Sequence, residues 1–222
     1  MTEKEPIPVA LLNLCRRWSL HLKSLSDNES RISFMRDELP GLLHDRAIFR
    51  AILGNIIDGA PYPDTGRAAM FESEVLLYRD PRGLFSLRMY LWGPGEYDPV
   101  HDHNSWGVIG PAVGELEVIS YRRKRRAQGG GHAGIVECGR EIISSGQVYA
   151  VHPLDEGIHK TGNPTEETML QMGVYGANQT GRHYVNRFDV ITGSVFPVYV
   201  PQARKKILAE KLLSVMKAQC GE

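Results

Sequence analysis

The fold of this chain is decided at Gly95-Glu96-Tyr97-Asp98-Pro99-Val100-His101-Asp102-His103-Asn104-Ser105-Trp106-Gly107. Side chains two residues apart on a strand leave by the same face, so the imidazoles of His101 and His103 can converge on one ion. A third ligand must come from elsewhere in the fold. His159 offers it, within Gly157-Ile158-His159-Lys160-Thr161-Gly162-Asn163 and after the turn residues Pro153-Leu154-Asp155. Two histidines from one strand and a third from a later one make a facial set, with the opposite face of the metal open. Imidazole suits iron, zinc, copper and nickel, so residue type alone does not select the metal.

Around this stretch the hydrophobic period is that of strands. Val75 and Leu77, then Phe85, Leu87, Met89 and Leu91, alternate with polar or smaller residues across the turn Asp80-Pro81-Arg82-Gly83. Further short strands are predicted over 107–109, 115–122, 134–138, 147–151, 168–175 and 184–188, each bounded by Gly, Pro, Asn or Asp. Many short strands at regular spacing favour a barrel or jelly roll over a doubly wound sheet. Upstream the period is helical. Val9, Leu11, Leu12, Leu14, Trp18, Leu22 and Leu25 recur at helical spacing, and Ser26-Asp27-Asn28-Glu29 offers caps for a second helix over about 31–39. Pro40 and Gly41 are expected to end it, and a third helix covers 45–57. A last helix, over 201–218, carries Ile207, Leu208, Leu212, Leu213, Val215 and Met216. The plan is mainly β in one domain over 1–222: a helical N-terminal layer (1–63), a β-barrel (74–190) and a C-terminal helix (201–218).

Bulk composition narrows the function classes. With 26 basic and 26 acidic residues the chain gives no reason to expect nucleic acid as its main partner. The basic run Arg122-Arg123-Lys124-Arg125-Arg126 follows a strand and precedes a glycine-rich turn, so it reads as a solvated hairpin end. No uncharged apolar window reaches the roughly 18 residues of a membrane span. The N-terminus lacks the charged start and long apolar run of a secretory signal. Cys15, Cys138 and Cys220 are odd in number and far apart, which suits free thiols in a reducing compartment and a cytoplasmic location. The pattern sets no oligomeric state. His21, His44 and His132 read as structural or surface residues, and His152 and His183 as lying outside the ligand set.

Gly95, five residues, His-x-His, Gly107 and then Gly114 resemble the first motif of the cupin superfamily. Gly146, His159 and Asn163 resemble its second. Cupins normally carry a glutamate ligand four residues after the second histidine, where this sequence has Gly107. A three-histidine site without that glutamate is the mark of the cysteine dioxygenase, or thiol dioxygenase, family. The stretch Tyr78 to Trp106, with Leu91-Trp92-Gly93-Pro94-Gly95 and His-Asp-His, is similar to theirs, as is Gly-Ile-His-Lys-x-x-Asn. The resemblance spans about residues 75 to 190.

The resemblance implies a cupin jelly-roll barrel. It also implies one Fe(II) per chain held by His101, His103 and His159, with O2 as co-substrate. Three neutral histidines leave the ion its full 2+ charge, which favours an incoming thiolate. The implied substrate is a small carboxylated thiol, of cysteine or 3-mercaptopropionate type, oxidised to its sulfinic acid. Nickel or zinc can take the same site on isolation. The family keeps a tyrosine beside the metal, matched by Tyr175, with a histidine two residues before it where this chain has Gly173. No cysteine lies near His101 and His103 to crosslink the tyrosine, which resembles the bacterial, 3-mercaptopropionate-type branch. A substrate carboxylate calls for a guanidinium fork, from Arg182 first and Arg79 second. Two other readings share these residues: a three-histidine cupin enzyme acting on a non-thiol substrate, as a dioxygenase or isomerase, and a metal-binding cupin without turnover.

Overall fold

A computed structural model describes residues 7–60, 62, 74–124, 134–199 and 205–212. Three helices come first: α1 (Val9–Ser24), α2 (Asn28–Leu43) and α3 (Arg46–Ile57). In α1 the buried residues Leu11, Cys15, Trp18 and Leu22 fall on one stripe. Asp27 caps α2 by accepting from the Ser30 amide, and Asp45 caps α3 by accepting from Ala47 and Ile48. Pro40 does not end the second helix, as the sequence suggested; it lies inside it. So near the C-terminus a proline removes only one intrahelical bond. Continuing the helix buries Leu42 and Leu43, and His44 closes it by donating its amide to the Pro40 carbonyl at 3.2 Å.

Among the described residues ten strands follow: β1 (Glu74–Arg79), β2 (Phe85–Trp92), β3 (Gly107–Val113), β4 (Glu115–Arg123), β5 (Ile135–Ser144), β6 (Tyr149–Val151), β7 (His159–Gly162), β8 (Met169–Gly176), β9 (Tyr184–Phe188) and β10 (Val195–Tyr199). One antiparallel sheet has the order β1-β2-β8-β3-β6, another β5-β4-β7, and β9 pairs with β10. Isolated bridges from Tyr97 to Gly162 and from His101 to His159 and Arg187 join residues 97–101 to β7 and β9. The second sheet therefore continues as β5-β4-β7, then 97–101, then β9-β10. Early strands lie beside late ones in both sheets, the winding of a jelly roll. The two sheets pack face to face through Tyr90, Trp92, Ile109 and Met169 on one side and Leu116, Val118 and Ile143 on the other.

Several elements differ from their expected bounds. The segment 159–162 forms β7, the later strand expected to carry His159; 195–199 forms β10, which did not stand among the predicted strands. β3 runs past 109 to Val113, because a register shift between Pro111 and Val113 absorbs the proline. His101 and His103 were expected on a regular strand, but only Tyr97 and His101 make bridges there. Pro99 has no N–H to give a continuous ladder. Of the C-terminal helix, residues 205–212 are helical and Leu208 and Leu212 are exposed; the remainder of 201–218 lies outside the described residues, as do Arg125, Arg126, His132 and Cys220. No described helix is long and apolar enough to cross a membrane.

The five-stranded sheet positions the site through its two faces. Phe85, Leu87 and Met89 of β2, Val108 of β3, and Met172 and Val174 of β8 are buried in the same core as Trp18, Met35, Leu39 and Ile52 of the helices. Alternation then turns Ser86, Arg88, Tyr90, Gln171 and Tyr175 into the barrel. Asp80, 3% exposed, ties the helical layer to the β1–β2 turn by accepting from Ser19 Oγ (2.6 Å) and from the amides of Arg82 and Leu84.

Candidate metal centre

The barrel brings His101, His103 and His159 together, with their ligand nitrogens within 4.8 Å of one another. The pairing is built by the backbone: His101 and His159 exchange amide-to-carbonyl bonds of 2.9 and 3.0 Å. His101 Nδ1 lies 2.9 Å from the Pro99 carbonyl, which assigns that nitrogen the proton and Nε2 the ligand role. His103 Nε2 and His159 Nε2 are 2.9 Å apart. Two nitrogens bonded at about 2.1 Å to one ion stand about 3.0 Å apart at a right angle and about 3.4 Å apart at the tetrahedral angle. The pair is thus close enough for both nitrogens to bind one ion. Burial, more than any neighbouring charge, holds the pKa values of His103 and His159 well below the ordinary histidine range. Neutral imidazole is the form that ligates. His159 Nδ1 is buried and has no hydrogen-bond partner among the described residues, so this ring relies on Nε2 for a polar contact. The three residues fit a divalent transition metal.

A buried clamp holds the loop between the first two histidines. Asp102, 1% exposed, accepts from the Asn186 amide (2.7 Å), Asn186 Nδ2 (2.7 Å) and Arg182 Nη1 (3.0 Å). Arg182 also donates from Nε to Asn104 Oδ1 and from Nη2 to the His103 carbonyl. All three guanidinium nitrogens are engaged, and Arg182 does not line the cavity. Arg79 is exposed at the end of β1, on the cavity's lining.

The cavity itself is about 360 Å³ and includes all three histidines. A half-buried cation on its lining is Arg88, which sequence reasoning missed. Arg88 donates from Nη1 to the Glu74 carboxylate and from Nε to Ser86 Oγ, with its guanidinium carbon 5.9 Å from the Tyr175 ring centre. A signal for it was present: Phe85, Leu87 and Met89 on one face force Arg88 onto the other.

Tyr175 stacks on His103 with ring centres 5.9 Å apart and 12° between planes. Burial pushes the pKa of its hydroxyl up, so it stays protonated and can donate. Its ring also accounts for two glycines at once. A Cβ on Gly107 would lie 2.8 Å from Tyr175 Cδ1, and one on Gly173 would lie 2.6 Å from Cε2. Gly107 and Gly173 both make room for this one side chain. Asp98 completes the lining; Thr161 Oγ1 donates to its Oδ2 at 2.9 Å. His152 stands 3.7 Å from Glu29 and, like His183, does not line the cavity.

No family model matches the chain. Solved structures similar to parts of it include a cupin 2 conserved barrel domain protein from Salinispora arenicola, at 18% identity and a TM-score of 0.38 over 53% of this chain and 87% of that one. A cupin-like protein from Thermotoga maritima is 15% identical, with a TM-score of 0.36 over 53% and 77%. A recombinant oxalate oxidase in complex with glycolate is 14% identical, with a TM-score of 0.32 over 46% and 44%. At TM-scores this low the fold rests on the strand order. That order gives a jelly-roll barrel, the architecture cupins share, with a three-histidine cluster able to hold a metal ion.

Proposed function

We propose that this chain is an iron-dependent thiol dioxygenase acting on a small carboxylated thiol. The observation that carries the reading is the ligand set: three histidines and no carboxylate, with Tyr175 occupying the space a carboxylate ligand at position 107 would need. The overall change is RSH + O2 → RSO2H. The sulfur gives up four electrons, dioxygen takes them, and no further reductant is required. Fe(II), when bound, supplies the oxygen chemistry, and its undiminished 2+ charge favours a thiolate.

The chain's own residues bind and orient. Arg88 takes the substrate carboxylate: it lines the cavity, and its Nη2 has no hydrogen-bond partner among the described residues. Glu74 holds the guanidinium in place. Arg79 stands where a carboxylate would enter. Tyr175 donates a hydrogen bond beside the open face of the histidine set. Arg182 and Asp102 keep His101 and His103 aimed.

The test is oxygen uptake by anaerobically Fe(II)-loaded protein against cysteine, 3-mercaptopropionate and cysteamine. One O2 consumed per thiol, with sulfinic acid as product, is the expected result. Metal bound without uptake would overturn the reading in favour of a binding cupin, and uptake with a non-thiol substrate alone would favour another three-histidine enzyme.

A further inference from the structure

We propose that Asp98 is a specificity-determining residue that binds a cationic group of the substrate, so that the preferred thiol carries an amine as well as a carboxylate. This rests on the thiol dioxygenase reading.

The cavity's charges single Asp98 out. The Glu74 carboxylate is spent on Arg88. Asp102 is spent on Arg182 and Asn186. Asp98 lines the cavity, is half-buried, and forms no ion pair among the described residues. Its Oδ2 accepts from Thr161 Oγ1, while Oδ1 has no hydrogen-bond partner among the described residues. It is not a member of the ligand cluster. It lines the same cavity as the three histidines and Tyr175.

Oδ1 of this half-buried carboxylate is claimed by no described donor, so it can accept from a ligand group in the cavity. Burial pushes its pKa up, against the smaller opposing effects of His101 and Thr161. An ammonium group on the ligand can donate to Oδ1 as a charge-assisted hydrogen bond. Arg88 reaches the cavity from β2, in the other sheet. The cavity then offers a cation site and an anion site on different walls. A thiol amino acid satisfies both, whereas 3-mercaptopropionate satisfies only the second.

The experiment compares L-cysteine with 3-mercaptopropionate on the wild type, Asp98→Asn and Asp98→Ser, all three loaded with metal. Asparagine keeps the size and an acceptor for Thr161. The readouts are kcat/KM with oxygen and, separately, Kd on zinc-loaded protein without oxygen. The wild type is expected to favour cysteine. Losing one hydrogen bond to a charged group should cut cysteine kcat/KM and affinity by about tenfold or more in Asp98→Asn, leaving 3-mercaptopropionate within about threefold. Equal losses on both thiols would overturn the proposal, as would a wild type that prefers 3-mercaptopropionate; that ratio decides even if neither variant folds. Oxygen uptake without the predicted selectivity sinks the role of Asp98 alone. An absence of uptake sinks the dioxygenase reading, and the anaerobic affinities still test Asp98.

Discussion

The two faces of the five-stranded sheet are made from the same strands and could hardly differ more. On the outer face Leu87, Met89, Val108, Met172 and Val174 are at most 1% exposed and packed with the helical layer. On the inner face, one residue along each strand, stand Ser86, Arg88, Gln171 and Tyr175, which line the cavity. Register makes the division strict: Arg88 opposes Gly173 and Ser86 opposes Tyr175. Stability is concentrated on one side and chemistry on the other, so changes on the two faces should have separable effects.

The largest effect tests the outer face. Leu87→Ala should lower unfolding free energy by about 2–5 kcal/mol in urea titrations, while the folded fraction keeps its metal stoichiometry. A loss of metal from folded protein would break the separation. Next comes the clamp behind the histidines. Arg182→Ala should weaken metal binding by about 10–100-fold, as removal of outer partners typically does. Substrate KM should move less than metal affinity; the reverse would restore Arg182 to the substrate.

Gly107→Glu sharpens the contrast from inside the barrel. Overpacking against Tyr175 should cost about 1–3 kcal/mol, read as a lower Tm, and Tyr175→Ala in the same chain should recover part of it. An undiminished Tm would show that the ring is not what keeps a side chain out.

The smallest effect concerns Cys15, on the helical side. Burial, helped by the Asp80 charge, pushes its thiol from 9.0 up to about 12. The thiol is thus neutral in the fold where the unfolded chain would ionise. Its contribution to stability is whole below pH 9 and falls as pH rises from there towards 12. A thiol reagent at pH 8 should modify exposed Cys138 and leave Cys15 intact until unfolding, as peptide mapping would show.

The same contrast explains what was legible in the sequence. Alternation over Phe85–Trp92 announced both faces because it is a local fact of strand geometry; the spacing of His101 and His103 announced a histidine cluster, although His103 lies outside any regular strand. Pairings across the chain were not announced. Nothing local shows that Arg182 donates to Asp102, Asn104 and the His103 carbonyl, because these partners lie some eighty residues away. Arg88, a lone charge in an apolar strand, passed unnoticed although alternation had already turned it inward. Gly107 registered as a missing carboxylate, but its cause, the ring of Tyr175, comes from a distant strand. α2 outran Pro40 because tertiary burial of Leu42 and Leu43 outweighs one lost hydrogen bond.

Everything on the inner face depends on the three imidazoles acting as one site. The most direct measurement is the metal content of wild type and His159→Ala after anaerobic Fe(II) loading and removal of free metal. One Fe(II) per chain in the wild type and almost none in a folded His159→Ala, with oxygen uptake lost in step, is the predicted result. Full iron occupancy in that variant would contradict it and show that the third ligand lies elsewhere.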